Sequence, residues 1–350
     1  MEKEQLKILI ANSNIALRDI IRNYLRLEGY ENFSITENGK SAWVKIRNEP
    51  PDLIIADYEL PGMNGLELLA AVRKDNRLSE IPFILISSEV QQEYVAQAAE
   101  LGVDGYLLKP FSHKLLAGKV KSVLKHVLAP DPGHLLSKEA RRLFESGDME
   151  GALIKYKEAI EATKDTMAAL HYKIGGVYEG LERDEEAESS YHEAIKMSEL
   201  HVDSLDALGK LNMKKGEHEG AANFFRKSAS ISPLNPQRQF HLGEALLETD
   251  EADEAEKAFK KSLKLDPNQV HIFNRLGISL RRQGKLEEAL KFFEQALAVN
   301  DDDENLYFNV GQVHFLMGDK KAARPLLKKA LEINPDFSEA AALLGEIDKS

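Results

Sequence analysis

The stretch LIIADYELPGMNG, residues 53–65, joins an apolar segment, an acidic residue and a turn in that order. Leu53–Ala56 is a short apolar run of the kind that forms an interior strand. Pro61, Gly62 and Gly65 are residues typical of turns, and a helical pattern follows them. Asp57 stands where the strand ends, which is the place where functional side chains gather in a parallel sheet. The stretch therefore predicts an α/β fold with Asp57 at its functional edge.

The same alternation of strand and helix continues on both sides of this stretch. Further apolar runs predict strands at Leu6–Ala11, Phe33–Thr36, Phe83–Ser87 and Gly105–Leu108. Amphipathic patterns predict helices at about 15–28, 40–48, 65–74, 91–101 and 112–128. Five strands that alternate with five helices indicate an α/β doubly wound parallel sheet over residues 1–128.

Polar residues follow four of these strands, namely Asn12-Ser13, Asp57, Ser87-Ser88 and Lys109-Pro110. The stretch 57–65 and the run GYLLKPF, residues 105–111, resemble the receiver domain of response regulators, and the resemblance covers residues 5–127. It implies a flavodoxin-like fold in which Asp57 accepts a phosphoryl group. It also implies that Ser87 and Lys109 contact that group, that Tyr106 is a switch residue, and that the Lys109–Pro110 bond is a candidate for the cis form.

The end of strand 1 departs from this family. Receivers have two adjacent acids there that hold Mg²⁺, whereas this chain has Asn12 and Ser13. Each missing carboxylate loses Coulomb attraction on the order of a few kcal/mol, and Mg²⁺ prefers anionic oxygens. Asp57 remains as the main anionic ligand, with Glu59 next in line. We therefore expect a weak Mg²⁺ site and slow or absent phosphorylation, although a competent phospho-receiver stays open as the alternative, and no other cofactor is implied.

The rest of the chain contains an internal repeat of about 34 residues. A small residue recurs at Ala140, Gly175, Gly209, Gly243, Gly277, Gly311 and Gly345. Twelve positions after each of the first six is an alanine, and four positions further on is a large apolar residue (Tyr156, Tyr191, Phe225, Phe259, Phe293 and Leu327). This register predicts two antiparallel helices per unit, with the small residue allowing close approach and the large one filling the space between neighbouring units. Glycines at 147, 216, 284 and 318 are expected to end the first helix of their units.

This register resembles the tetratricopeptide (TPR) repeat, because Leu-Gly or a near equivalent stands at the small position of five units. The resemblance implies an all-α superhelical solenoid of six repeats over residues 135–337 and a capping helix at 338–350. Pro130, Pro132 and Gly133 indicate a short linker at 129–134.

In this repeat family, the first helix of each unit lines the concave surface. Candidate groove residues are the basic Lys210, Lys214, Arg275, Arg281 and Arg282 and the apolar Phe240, Leu247, Ile278, Phe308 and Phe315. Basic groups in an otherwise acidic solenoid suit an acidic peptide, and aromatic groups suit apolar anchors. The groove is therefore predicted to bind a protein or peptide.

Charge and composition restrict the class of partner. The chain of 350 residues has 46 basic and 58 acidic residues and a net charge of −12, and residues 1–130 hold 16 of the basic and 17 of the acidic ones. The acidity thus lies in the repeat region, which disfavours nucleic acid and anionic membrane as partners. There is no cysteine, no apolar run of 18 residues and no secretory signal pattern, so we expect a cytoplasmic protein.

Together these features predict a bacterial-type two-component signalling adaptor whose output is binding rather than catalysis. Its phosphodonor, if it has one, would be a histidine kinase or a phosphotransfer protein. One alternative is a phosphorylation-competent regulator, in which phosphorylation of Asp57 would lead Ser87 and Tyr106 to reorganise the face formed by strand 5 and its flanking helices. This would change docking to the solenoid or to a partner. A DNA-binding transcriptional regulator is a less favoured alternative, because it needs a basic recognition helix that the acidic repeats do not supply.

Overall fold

The computed structural model describes residues 2–75, 77–88, 92–128, 132–163, 167–267 and 271–349. The chain divides into two compact units, Met1–Ser204 and Leu205–Ser350. The first unit contains an α/β domain and the first helix pairs, and the second contains the later helices. Every helix among these residues is too short or too polar to span a lipid bilayer.

The α/β domain is built on five parallel strands in the order β2-β1-β3-β4-β5. The strands are β1 (Lys7–Ala11), β2 (Asn32–Thr36), β3 (Leu53–Asp57), β4 (Phe83–Ser87) and β5 (Gly105–Leu108). Among the described residues, a 3₁₀ turn (Lys3–Gln5) precedes β1, and six α-helices accompany the strands: α1 (Ile15–Leu27), α2 (Gly39–Asn48), α3 (Gly65–Lys74), α4 (Gln92–Glu100), α5 (His113–Val123) and the short α6 (Lys125–Leu128). The predicted fold class is confirmed, and the predicted helix 112–128 is divided in two at Leu124.

Local side chains explain where these helices begin. Asn14, Asn38 and Asn64 each accept a hydrogen bond from the backbone N–H three residues further on, and so satisfy a donor that the first helical turn leaves free. Asn64 and Glu67 form a reciprocal capping box at the start of α3. This cap orients the loop that follows Asp57.

The described residues from 132 onward form six helix pairs and a closing helix. The pairs are α7 (Pro132–Glu145) with α8 (Met149–Ala162), α9 (Met167–Gly180) with α10 (Asp184–Met197), α11 (Val202–Lys215) with α12 (His218–Ile231), α13 (Pro236–Glu248) with α14 (Ala252–Leu265), α15 (His271–Arg282) with α16 (Leu286–Leu297), and α17 (Glu304–Leu316) with α18 (Lys320–Ile333). The closing helix is α19 (Ser338–Lys349). The described part of α7 already includes Pro132 and Gly133, which the sequence placed in a linker at 129–134, and proline suits the first turn of a helix. Residues 129–131 of the predicted linker lie outside the described residues.

The repeating glycines lie against the large ring of their own helix pair. A Cβ atom at Gly243 would stand 2.6 Å from Cε1 of Phe259, and Gly175, Gly209 and Gly277 face Tyr191, Phe225 and Phe293 in the same way. The prediction that the ring fills the space between neighbouring units was therefore incomplete. Phe225 serves both contacts, because its ring also stacks on His241 of the next pair at 5.4 Å.

Each turn between the two helices of a pair contains a residue with positive φ where the repeat register places one. Gly147, Gly216, Gly284 and Gly318 have φ between 76° and 88°, as predicted. The other two pairs lack glycine at this position, and Glu182 (φ 58°) and Asp250 (φ 62°) adopt the left-handed conformation instead. Sequence reasoning missed both residues, because non-glycine side chains rarely take this conformation.

Candidate functional site

The carboxylate of Asp57 lies at the end of β3 and is only 3% exposed. Its two oxygens are 2.9 and 2.7 Å from Nζ of Lys109. The backbone N–H of Glu59 donates to Oδ1 at 3.0 Å, and Nδ2 of Asn12 donates to Oδ2. The structure thus brings Asp57, Lys109 and Asn12 together, and both carboxylate oxygens have hydrogen-bond donors.

The amide of Asn12 has a defined orientation. Its Oδ1 accepts the backbone N–H of Asn14 at 2.8 Å, so its NH₂ group faces Asp57. The backbone carbonyl of Asn12 accepts a hydrogen bond from Nη1 of Arg18 at 2.7 Å. Ser13, the other residue that stands in place of an acid, is exposed. Among the residues that the structure describes, there is no group of three or more His, Asp or Glu side chains able to hold a metal ion.

The other predicted receiver residues lie on neighbouring strand ends. Ser87 is fully buried at the end of β4, one residue beyond Ile86, the partner of Asp57 in the sheet. Tyr106 lies on β5, half-buried against the core cluster on one face of the sheet. The Lys109–Pro110 peptide bond is cis, as predicted. The side chain of Glu59 is exposed, and it is the backbone of this residue that contacts Asp57.

A second candidate site is a cavity of about 740 Å³ in the second unit. Of the predicted groove residues, Phe240, Arg275, Ile278 and Phe308 line it. The guanidinium of Arg275 is paired with Glu244 at 2.9 Å.

The remaining predicted groove residues do not line this cavity. Lys210 and Lys214 are exposed on α11. Arg281 donates to the side chain of Gln312, and Arg282 donates to the backbone carbonyl of Leu247, which is itself buried. Phe315 packs against the core cluster around α18 and α19. All of them lie on first helices, as their register predicts, but outside the lining of this cavity.

Sequence reasoning missed several residues that line the cavity. They include four asparagines (Asn274, Asn300, Asn305 and Asn309), together with His271, Asp303, Phe337 and Glu339. Nδ2 of Asn309 donates to Oδ1 of Asn274 at 3.0 Å across two helix pairs. The available signal was the recurrence of asparagine on two successive first helices. Asparagine is neither charged nor apolar, and those two properties distinguish the groove residues that were predicted.

Comparison with known proteins agrees with this architecture. Residues 8–121 match the response regulator receiver domain, and residues 168–199, 207–270, 239–302 and 268–336 match the tetratricopeptide repeat. The chemotaxis protein CheY of Pseudomonas aeruginosa is 34% identical over 122 residues, which are 35% of this chain and 98% of that protein. The chemotaxis protein CheY1 of Helicobacter pylori is 39% identical over 120 residues, which are 34% of this chain and 97% of that protein.

Among solved structures, YrrB is described as a TPR protein with an unusual peptide-binding site. It has a TM-score of 0.50 and 20% sequence identity, and the match covers 54% of this chain and 96% of YrrB. At this identity the likeness concerns the fold alone. The chain belongs to the response-regulator family, and its receiver domain is followed by TPR repeats. Receiver and TPR domains are regulatory and protein-binding modules, so this is a signalling response regulator with a protein-binding scaffold.

Proposed function

We propose that this protein is a cytoplasmic signalling adaptor in which the receiver is degenerate in Mg²⁺ binding and the TPR repeats bind a protein segment. The observation that carries the proposal is the amide of Asn12, which donates to Asp57 from a position where the receiver family has an acid. A donor there gives Oδ2 of Asp57 a hydrogen-bond partner, at a position where an acid in the family would help to hold a cation. Asp57, Asn12 and Lys109 then act as a buried polar network that holds three strand ends together.

The residues at this edge do not fit the Mg²⁺ site of the receiver family. Asn12 could ligate a cation only through Oδ1, which already accepts the N–H of Asn14. Turning the amide would break that bond and remove the donor to Asp57. Since Mg²⁺ demands near-ideal octahedral geometry and gives up water reluctantly, a single carboxylate that already pairs with Lys109 is a poor binding site.

The test restores the missing acids. Wild type and an Asn12→Asp/Ser13→Asp variant are incubated with acetyl phosphate and millimolar Mg²⁺, and Asp57 modification is measured by intact mass, with Asp57→Asn as the negative control. We expect no modification of wild type and clear modification of the restored variant. Efficient Mg²⁺-dependent modification of wild type would overturn the proposal. It would favour a phosphorylation-competent regulator served by a histidine kinase or phosphotransfer protein, for which the retained contact between Asp57 and Lys109 is the supporting observation.

For the TPR groove we propose an extended peptide with an uncharged apolar anchor. Phe240, Phe308 and Phe337 provide an apolar wall, and asparagine amides can both donate to and accept from a peptide backbone. The expected acidic peptide is less well supported, since the cation that lines the cavity, Arg275, is paired with Glu244.

A peptide library displayed on phage tests this choice. We expect selected sequences to be enriched in apolar rather than acidic residues, and we expect Phe240→Ala to weaken their binding at least tenfold. Leu316→Ala serves as the control, because this apolar side chain is exposed and does not line the cavity. Selection of acidic sequences that Phe240→Ala leaves unaffected would contradict the proposed ligand.

A further inference from the structure

The segment before β4 contacts the first helix of the solenoid within the first compact unit. Arg141 of α7 donates through Nη1 to the carboxylate of Glu80 and through Nη2 to Oγ of Ser79 at 3.0 Å. Its Nε donates to Glu145, one turn along α7, at 2.9 Å. One guanidinium thus has three partners, two of them on the receiver, and Glu145 holds the side chain in position for both.

The receiver side of this contact is itself held in shape by an arginine. Nη1 of Arg73 donates to the backbone carbonyls of Ser79 and Ile81, each at 2.9 Å. Its other nitrogens donate to Gly102 O and to Oδ2 of Asp104 in the loop between α4 and β5. Asp104 also accepts the backbone N–H of Phe83 at 2.7 Å. The segment that meets α7 is therefore braced against the loop that follows α4.

The solenoid side is also well packed. Tyr156 of α8 is 3% exposed, and burial raises its pKa to about 12. The charges of Arg141, Glu145 and Glu80 also act on this side chain. The ammonium of Lys173 on α9 stands over the ring of Tyr156 at 5.8 Å, and the charge of Glu80 acts on it too. Glu80 therefore acts electrostatically on two successive helix pairs.

We infer that Ser79, Glu80 and Arg141 form a latch that fixes the receiver against the first helix pair, at the sheet end opposite Asp57. The five-residue strand β4 lies between Glu80 and the end of the sheet that carries Asp57. At about 3.3 Å per residue, the two ends of this strand are roughly 16 Å apart. The face around strand 5, which was expected to change its docking to the solenoid or to a partner if Asp57 is phosphorylated, does not supply these contacts. A partner can therefore approach the Asp57 end while the first helix pair stays docked.

Spin labels test the latch in the full-length chain. Since the protein has no cysteine, Val44→Cys on α2 and Ile154→Cys on α8 provide two labelling sites. Both side chains are exposed, at 56% each. Pulsed electron resonance then measures the distance distribution between the labels.

With the latch intact we expect one narrow distribution, and in Arg141→Gln we expect its width to at least double. Glu80→Gln should act in the same direction. The matched control is Arg142→Gln, which removes the same charge from an exposed neighbour on α7 and should leave the width unchanged. A broad distribution in the labelled parent, or equal widths in the parent and Arg141→Gln, would overturn the latch. Neither result depends on Mg²⁺ or on a groove ligand, so this test is independent of the proposed function.

Discussion

Replacing Gly243 by alanine probes the packing that defines each repeat. A Cβ atom at this position would stand 2.6, 2.7 and 2.8 Å from three ring carbons of Phe259. The ring is fully buried, so it has no open space to move into. Gly345 occupies the same register position in the closing helix, and a Cβ atom there would meet nothing within 4 Å. The two glycines therefore form a matched pair for one substitution.

The magnitude follows from two opposing effects. Alanine is favoured over glycine in a helix interior by about 1 kcal/mol. Overpacking a well-filled core costs about 1–3 kcal/mol, and the distances at Gly243 place it toward the upper end. We expect Gly243→Ala to lower the free energy of unfolding by about 1–2 kcal/mol and Gly345→Ala to raise it by up to about 1 kcal/mol.

Urea unfolding followed by far-UV circular dichroism measures this difference. The single tryptophan, Trp43, lies in α2 of the receiver, so its fluorescence follows that domain separately. Adding Phe259→Leu to Gly243→Ala should recover part of the loss, because the smaller side chain makes room for the methyl group. The reasoning is refuted if Gly243→Ala matches or exceeds the wild-type midpoint, or if both glycine variants lose stability equally.

Three further substitutions test local features of the fold. Glu182→Gly should stabilise the chain by about 0.5–1 kcal/mol in thermal unfolding, since glycine adopts the left-handed conformation of this exposed position without the steric strain of a side chain. A loss of stability would show that the positive φ of Glu182 is not strained. Arg238→Met should cost about 3–5 kcal/mol in urea unfolding, because it breaks a buried ion pair in which Nε of Arg238 lies 2.6 Å from the carboxylate of Asp206. Adding Asp206→Leu in the same chain should restore most of that loss. Burial alone would raise the pKa of Glu256, but hydrogen bonds from Lys260, Lys285 and Gln283 outweigh it and lower the pKa to about 2. Because the pKa of Glu256 is lower in the folded state than its unfolded value near 4.5, its ionised form stabilises the fold above pH 4.5, and this contribution is lost as the pH falls toward 2. Glu256→Gln should therefore flatten the dependence of unfolding free energy on pH between these values by about 2 kcal/mol, with solvent screening allowed for. An unchanged pH dependence would contradict the lowered pKa of Glu256.

Much of the architecture could be predicted because its causes are local or periodic. Apolar runs and turn residues placed all five strands, and the 34-residue register placed the helix pairs and four of the left-handed turns. The contact between Asp57 and Lys109 was also predictable, since parallel strands bring their carboxyl ends to one edge of a sheet.

Other features needed the folded coordinates. The sequence shows Asn12 but not which way its amide turns, because that depends on the backbone N–H of Asn14. It shows five basic groove candidates but not that Arg275 alone among them lines the cavity. It gives no sign that Arg141 meets Glu80, 61 positions away. Backbone geometry repeats along the chain and leaves a pattern in the residues, whereas the partner of a side chain is chosen by packing between segments that are distant in the sequence.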